Sequence, residues 1–377
     1  MKLVDSSVPV AQESERLVLR VVSETAEFSS LKSEWNALVD ECPDVDFFSS
    51  WVWTFSWWMS SERGRDLRIY VVRNDRGDLK AILPCCLTEK RALGLFSYYQ
   101  LGFIGSIGEK GVYYQDLIAR PRDRAKATNI IIPQLLSESA VWDMLSFANM
   151  PTESPLTRRL PQEMPGHRFI GKRRPTAMLE LPPSWNLYLD ILDREEQERL
   201  EQARQQFGFM GDVHYRIEKA DQHGVLLKKF HESLPATHKT PEQLLAKQTQ
   251  LFDEQDEEFQ LAFHYLENDS GDWVAAMACI FWRSTCYCIE FRERPNSKIP
   301  DVFLLLVGKS IEHAIGLNFS RCDLLGGNRL DAKLALTHQA RDTVTIGAYR
   351  DTRLGRMLRF LQRSSTALRR SGRSSGV

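Results

Sequence analysis

The chain has 377 residues, and its 49 lysines and arginines against 50 aspartates and glutamates give a formal net charge of -1. Hydrophobic residues make up 43% and charged residues 26%, a globular composition that excludes a largely disordered chain. The balanced charge gives no reason to expect a nucleic acid as partner. A chain of 377 residues is too long for one ordinary hydrophobic core, so we expect two domains.

Hydrophobic spacing predicts the secondary structure of the first half. In the segment 26–39, Phe28, Leu31, Trp35 and Leu38 recur at three- and four-residue steps, which indicates a helix. Similar patterns predict strands at 17–22, 67–73, 79–87, 96–104, 113–118 and 142–147, and helices at 51–59 and 124–136. The tryptophans of the helix 51–59 recur at helical spacing, which favours a place in the core over a platform for sugar rings.

A change of composition marks a boundary at 151–175, where prolines and arginines are dense. Such a segment favours a connection over the surface. We therefore predict a first domain at 15–150, a linker at 151–175, a second domain at 176–350 and a basic tail at 351–377.

The second half repeats the alternation of strands and helices. Its pattern predicts strands at 177–181, 213–218, 259–267, 273–282, 285–291 and 321–325, and helices at 188–207, 225–233, 241–253 and 301–315. Strand pairs followed by a helix and a strand that ends in glycine indicate a mixed sheet with helices on its faces.

Seven cysteines occur, and none forms a C-x-x-C pair. Without that spacing we expect buried free thiols in a reducing compartment, and no metal site. The first twenty residues lack the basic start and apolar core of a signal peptide, so we expect the chain to stay in the cytoplasm.

Several segments carry a resemblance to a known family. They are 185–207, 259–291, 301–316 and 322–333 in the second half, and 47–58 and 101–116 in the first. The chain resembles the BioF2-like branch of the GNAT acetyltransferase superfamily, which is linked to cellulose or exopolysaccharide biosynthesis and related to the FemAB/FemX transferases. The resemblance implies an α/β (α+β) fold of two tandem GNAT-like domains, each with a mixed, mostly antiparallel sheet flanked by helices. It also implies acetyl-CoA or another acyl-CoA as co-substrate, a saccharide or other small-molecule acceptor, and no metal.

The predicted acyl-CoA site is the start of the helix at 301. A helix N-terminus binds a pyrophosphate through its unpaired amides and its positive dipole end. Arg294, Asn296, Ser297 and Lys298 precede that helix, and Asp301 begins it. The alternative is an ordinary surface loop with Asp301 as helix cap.

Acyl transfer to an amine needs a group that removes a proton, and Glu290 and Asp323 are the candidate bases. The resemblance implies an aspartate at a strand end, then glycine, then lysine, and Asp323, Gly326 or Gly327, and Lys333 take those places. The alternatives are carboxylates paired with arginines and a solvated lysine.

Three polar residues are candidates for binding the acceptor. Asn328 and Arg329 follow the two glycines, where a tight turn exposes the backbone, and His338 lies five residues beyond Lys333. A lone histidine is more often an ordinary surface or core residue.

These observations favour an acyl-CoA-dependent N- or O-acyltransferase that acts on a saccharide or cell-envelope precursor. Two alternatives stay open. One is a FemX-like aminoacyl transferase, for which we would expect a strongly basic channel for tRNA. The other is a non-catalytic scaffold of a polysaccharide biosynthesis system.

The basic tail generates the first prediction. From 353 to 373 the chain carries seven arginines and no acid, with leucines and a methionine at helical steps. Each arginine near an anionic surface contributes about 1 kcal/mol, so full-length protein should bind anionic vesicles more strongly than a chain cut after Tyr349. Co-sedimentation measures the binding, with neutral vesicles as control. Equal binding by both chains would rule out a peripheral position at the inner membrane face; the alternative is a helix that packs on the domain.

Overall fold

The computed structural model describes residues 15–60, 64–105, 114–164, 166–219, 225–234, 259–295, 299–337 and 339–361. Four predicted site residues, Asn296, Ser297, Lys298 and His338, lie outside the described residues, as does the helix predicted at 241–253.

The first half alternates short helices with long strands. Its elements are β1 (Leu17–Val22), α1 (Thr25–Ser30), α2 (Lys32–Asp40), α3 (Trp51–Met59), β2 (Arg65–Asn74), β3 (Leu79–Ala92), β4 (Phe96–Phe103), β5 (Ile118–Ala119), α4 (Pro121–Ser137) and β6 (Met144–Pro151). Ser50 begins α3 because its hydroxyl accepts a hydrogen bond from the amide of Trp53. Pro121 begins α4 at a position where no helical hydrogen bond is lost.

The second half has a similar order of elements. They are α5 (Pro155–Glu163), β7 (His167–Ile170), β8 (Arg174–Glu180), α6 (Trp185–Ile191), α7 (Arg194–Gly208), β9 (Val213–Lys219), α8 (Val225–Ser233), β10 (Phe259–Asn268), β11 (Trp273–Trp282), β12 (Thr285–Glu293), α9 (Val302–Gly316), β13 (Arg321–Leu325), α10 (Leu330–Ala335) and β14 (Ala340–Tyr349). Residues 353–361 form a last helix, α11.

All these strands join one continuous sheet. Its order is β1-β2-β3-β4-β6-β14-β8-β13-β12-β11-β10-β9, with β5 beside β3 and β7 beside β14. Two neighbouring pairs, β4 with β6 and β12 with β13, run parallel. A helix connects each parallel pair, α4 in the first half and α9 in the second, so the halves are two units of one topology.

The same hairpin turn occurs in both units. Residues 74–78 read N-D-R-G-D and residues 268–272 read N-D-S-G-D. In each turn the asparagine Oδ1 accepts hydrogen bonds from the amides two and four residues further on. Gly77 and Gly271 take φ values of 87° and 75°, a conformation that favours glycine. The turns join β2 to β3 and β10 to β11, which are therefore equivalent hairpins.

The two units are tied together at the centre of the sheet. β14, near the C-terminus, pairs with β6 of the first unit from Thr343↔Pro151 to Tyr349↔Met144. Its other edge pairs with β8 from Ala340↔Ala177 to Thr343↔Arg174. β8 in turn pairs with β13. Separating the units would therefore break a ladder of backbone hydrogen bonds, either between β6 and β14 or between β14 and β8.

Buried side chains fill both faces of this sheet. Trp35, Trp51 and Trp53 are almost fully buried on one face, which confirms that the aromatic helix α3 belongs to the core. Helix α9 covers another face of the second unit with Leu305, Leu306 and other apolar residues. All seven cysteines are buried and free, as predicted.

Several predicted elements differ from the structure. The helix predicted at 188–207 is two helices, because Leu192 adopts an extended backbone with φ -77° and ψ 148°. The helix predicted at 26–39 is two short helices, α1 and α2, that meet at Leu31, whose own backbone stays helical with φ -74° and ψ -10°. The sequence predicts a strand at 113–118, but the described residues 114–117 form no strand, and the short strand β5 begins at Ile118. The segment 151–175 contains α5 and β7 as well as irregular chain, and β14 was not predicted.

Helix α11 packs on the protein. Leu358 is buried, and Arg359 contacts the Nδ1 atom of His167 at 2.5 Å. Among the described residues, no helix combines the length and apolarity needed to cross a bilayer.

Close packing at β14 generates a prediction. A Cβ atom at Gly347 would overlap the carbonyl oxygen of Leu145 and the ring of Phe169. We predict that Gly347→Ala lowers the free energy of unfolding by about 1–3 kcal/mol, because two strands must move apart. Urea unfolding measures the change. Gly208→Ala is the control, since nothing lies near its added methyl; equal stabilities of the two variants would contradict the prediction.

Candidate active site

A gap opens in the sheet between β12 and β13. Their parallel pairing covers only three residue pairs, from Thr285↔Arg321 to Tyr287↔Asp323. β12 then continues along β11 as far as Glu293, while β13 turns toward β8. The two strands therefore diverge immediately after Tyr287 and Asp323.

A β-bulge in β12 changes which side chains face the gap. Ala278 and Cys279 of β11 pair with Glu290 and Cys288 of β12. One extra residue of β12, Ile289, therefore lies between the two pairs. An extra residue turns the following side chains to the other face. Phe291 accordingly contacts Phe303 of α9, with ring centroids 5.2 Å apart.

Lys333 of α10 reaches toward this gap. Its Nζ donates a hydrogen bond to the carbonyl oxygen of Gly326 at 3.0 Å. Burial lowers the pKa of Lys333 to about 8, against the opposing influence of Cys288 on β12 and Asp323 on β13. Lys333 is thus partly buried near groups of both strands, in contrast to the fully solvated lysine of the alternative.

Asp323 is the last residue of β13 that pairs with β12, and it is fully buried. Its Oδ1 accepts a hydrogen bond from the amide of Leu325 at 2.8 Å, which ends the strand with a local turn. Its Oδ2 is buried and has no partner among the described residues. Burial and the nearby Asp46 carboxyl raise the pKa of Asp323 to about 7.

The backbone after Asp323 is unusual. Leu325, Gly327 and Arg329 have φ values of 60°, 84° and 57°. Positive φ is costly for leucine and arginine, and such residues cluster at functional sites. This conformation directs the chain from β13 over the gap and into α10.

The start of α9 lies beside the outer part of the gap. The Arg329 guanidinium lies 5.1 Å from the ring centroid of Phe291 and 5.0 Å from that of Phe303. It also donates a hydrogen bond to Glu293 at 2.7 Å. Arg329 is therefore a cation close to the N-terminus of α9, between the diverging strands.

The other predicted residues of this region have different surroundings. Arg294 lies 3.5 Å from the Asp272 carboxylate. Asp301 is exposed with φ 45°, and Asn328 is exposed. Glu290 accepts a hydrogen bond from Arg292 at 2.8 Å, and Arg292 packs on α8; this arrangement corresponds to the alternative of a paired structural carboxylate.

A polar cavity of about 500 Å³ lies where the two units meet. The first unit and its connection to β8 contribute Asp44, Asp46, Tyr114, Gln115, Asp116, Arg124, Glu153, Ser154 and Arg173, and the second contributes Met178, Arg341 and Asp342, with further residues of both. No sequence pattern indicates this cavity, because its residues come from distant parts of the chain.

The cavity contains an ion pair between Arg341 and Asp46 and one buried acid, Asp116. Arg341 donates a hydrogen bond to Asp46 at 2.6 Å, and its guanidinium lies 4.6 Å from the ring centroid of Tyr114. Burial raises the pKa of Asp116 to about 6, although Ser154 donates a hydrogen bond to its carboxylate at 2.8 Å.

Asp323 connects the gap with the cavity. It pairs in the sheet with Met178, which lines the cavity. The charges of Asp46 and Arg341, two more cavity residues, shift the pKa of Asp323 in opposite directions. Asp323 and Lys333 are thus brought together by the fold, next to a cavity large enough for a small polar molecule.

Comparison with known proteins places this geometry in a fold family. Residues 194–333 match the family described as Acetyltransferase (GNAT) domain. No curated protein sequence gives a match to the chain.

Three solved structures are similar to the chain. FemX gives a TM-score of 0.56 at 10% identity, covering 84% of this chain and 95% of that one. A tandem GNAT protein from the clavulanic acid biosynthesis pathway gives 0.52 at 12% identity, covering 89% and 99%. The C-terminal domain of a putative lysylphosphatidylglycerol synthetase from Agrobacterium fabrum gives 0.51 at 9% identity, covering 90% and 96%.

These findings confirm the predicted fold class. The protein has the fold of two tandem GNAT-like domains, and the match to the GNAT acetyltransferase domain covers most of the second. Asp323 and Lys333 lie within or at the end of that match, on the strand and helix that follow the gap.

The ionisation of Asp323 generates a prediction. Because the folded-state pKa lies near 7, above the ordinary value, the folded protein holds this proton more tightly than the unfolded chain. Stability from this group is present below about pH 4 and falls by up to about 1.4 kcal/mol per pH unit until about pH 7. Asp323→Asn should therefore gain stability relative to the natural protein between pH 5 and pH 8.

Urea unfolding at pH 5, 6, 7 and 8 measures this difference. Asp301→Asn, at an exposed position, is the matched control. If the Asp323→Asn protein and the natural protein change in parallel with pH, Asp323 does not titrate as described.

Proposed function

We propose that the protein is an acyl-CoA-dependent acyltransferase that acylates an amine or hydroxyl of a saccharide or cell-envelope precursor. The observation that carries the proposal is the position of Asp323, an acid with its pKa near 7, between a gap in a GNAT sheet and a polar cavity. A group with that pKa is suited to remove a proton near neutral pH. The saccharide part of the proposal rests on the resemblance to BioF2-like proteins.

The acyl donor would occupy the gap between β12 and β13. The pyrophosphate of CoA would lie toward the N-terminus of α9, whose amides and dipole favour an anion, with Arg329 close by. The thioester would point inward toward Lys333. Below about pH 8 the Lys333 ammonium is charged and can stabilise the negative charge that develops on the thioester oxygen.

The acceptor would enter from the cavity between the two units. Its amine or hydroxyl attacks the thioester carbon, and Asp323 takes the proton that the nucleophile loses. The carbon–sulfur bond then breaks, the acyl group stays on the acceptor, and CoA leaves as thiolate and is protonated. Asp116 and the Asp46–Arg341 pair provide hydrogen-bonding groups for a polar acceptor.

An aminoacyl transfer like that of FemX is the second candidate. It is favoured by the similarity of the fold to FemX and to a putative lysylphosphatidylglycerol synthetase. The reaction would use the same acid and lysine, but an aminoacyl ester would replace the thioester. A non-catalytic scaffold would need neither donor.

Calorimetric titration with acyl-CoA and a turnover assay separate these functions. We expect acetyl-CoA or a longer acyl-CoA to bind, and Lys333→Ala and Arg329→Ala to weaken binding or turnover. Asp323→Asn should keep acyl-CoA binding while turnover of an amino-sugar acceptor falls about 100-fold or more. In the natural protein the rate should rise with pH through about 7, as Asp323 loses its proton.

Lys309→Ala is the control, because Lys309 pairs with Glu312 on α9 at 3.1 Å, away from the N-terminus of that helix. Absence of binding with every acyl-CoA would reject the acyl-CoA proposal. Transfer from an aminoacyl-tRNA under those conditions would establish the second candidate, and no transfer from either donor would favour the scaffold.

A further inference from the structure

Four of the seven cysteines converge beneath helix α9. Cys279 lies on β11, Cys286 and Cys288 on β12, and Cys322 on β13. In the sheet Cys279 is the partner of Cys288, and Cys286 is the partner of Cys322. Alternate residues of a strand share a face, so three adjacent strands bring the four thiols to one face of the sheet.

The distances among three of these thiols are those of a metal-binding group. The Sγ atoms of Cys279, Cys286 and Cys288 all lie within 4.8 Å of one another, and those of Cys279 and Cys288 are 3.7 Å apart. Cys322 does not belong to this group of three, and the sheet register places it beside Cys286. Four thiolates at about 2.3 Å from a tetrahedral Zn²⁺ are about 3.8 Å apart.

We propose that Cys279, Cys286 and Cys288 bind a structural Zn²⁺ and that Cys322, the sheet partner of Cys286, closes the site as the fourth ligand. Four thiols bind one Zn²⁺ and release four protons, so the occupied site carries two negative charges. Thiolates select soft ions, and a closed four-thiolate set leaves no open position for a catalytic water. The site is therefore structural, and it is separate from the proposed acyl transfer.

The surroundings of the cluster suit thiolates better than an ordinary apolar core does. As a thiol, Cys279 donates to the Oγ of Ser310 on α9 at 3.6 Å, while the Ser310 hydroxyl donates to the carbonyl oxygen of Leu306 at 2.8 Å. Rotation of that hydroxyl would let it donate to a thiolate instead. The Nε2 of the buried His264, on the neighbouring strand β10, has no hydrogen-bond partner among the described residues.

The position of the site gives it a role in the fold. Cys286 and Cys322 belong to the short stretch where β12 and β13 pair, one residue before both strands diverge. A metal bound there would link three strands at the floor of the gap. Backbone pairing between β12 and β13 is brief, so this link would hold the two strands in register.

Metal analysis of the full-length protein tests the proposal directly. After expression with added zinc and gel filtration, we expect about one zinc per chain by mass spectrometry. Refolding with Co²⁺ in place of zinc should give the thiolate charge-transfer absorption and visible bands of a tetrahedral cobalt site. Neither readout depends on acyltransferase activity, so it can fail or succeed independently of the proposed function.

Cys286→Ala and Cys86→Ala are matched variants, because both thiols are buried and only Cys286 belongs to the cluster. We expect Cys286→Ala to bind less than about 0.1 zinc per chain after dialysis and Cys86→Ala to keep about one. If Cys286→Ala does not fold, the zinc content and cobalt spectrum of the natural protein decide.

Two outcomes would overturn the proposal. One is natural protein that contains no zinc, takes up no cobalt on refolding and shows seven free thiols in denaturant. The other is a disulfide within the cluster, seen as fewer than seven free thiols in the unreduced protein. Equal zinc content in Cys286→Ala and the natural protein would place any bound metal elsewhere and also reject the site.

Discussion

The short pairing of β12 with β13 is the constraint on which the rest of the second unit depends. Three residue pairs hold the strands together, and beyond Tyr287 and Asp323 they separate. A gap in a sheet leaves backbone groups and side chains without their usual neighbours, which is costly unless other groups occupy the space. Here Lys333 and Arg329 lie at the gap, and a β-bulge turns Phe291 toward α9. The same divergence that weakens the sheet makes room for a ligand.

The central strands β14 and β8 place a cavity next to the gap. β14 pairs with β6 of the first unit and with β8, and β8 pairs with β13, so these two strands join the units into one sheet. The cavity between the units is built on this junction: Met178 comes from β8 and Arg341 from β14, and Asp46 of the first unit pairs with Arg341. Asp323 is adjacent to both spaces because β13 lies next to both β12 and β8. Its raised pKa is the electrostatic consequence of that interior position.

Two kinds of buried polar group therefore meet within the second unit. The acid of the proposed reaction lies on one side of the β12–β13 pair, and four thiols lie on the α9 side. Lys333 is near both, since Cys288 and Asp323 each influence its ionisation. Two of the thiols, those of Cys286 and Cys322, lie where the strands are paired, and Asp323 lies where the pairing ends.

The sequence by itself determined the local structure and much of the fold. Alternation and helical spacing predicted the hairpin from β10 to β11 and helix α3, because those patterns depend on neighbours in the chain. The resemblance led to Asp323 and Lys333. Neither the sequence patterns nor the resemblance predicted β14, the cavity residues Asp46 and Arg341, or the thiol cluster. The cysteines of that cluster lack metal-ligand spacing in the chain because they come from three different strands. Those features depend on which distant strands become neighbours, and only the tertiary structure decides that, since strand pairing is set by the burial and hydrogen bonding of the whole sheet.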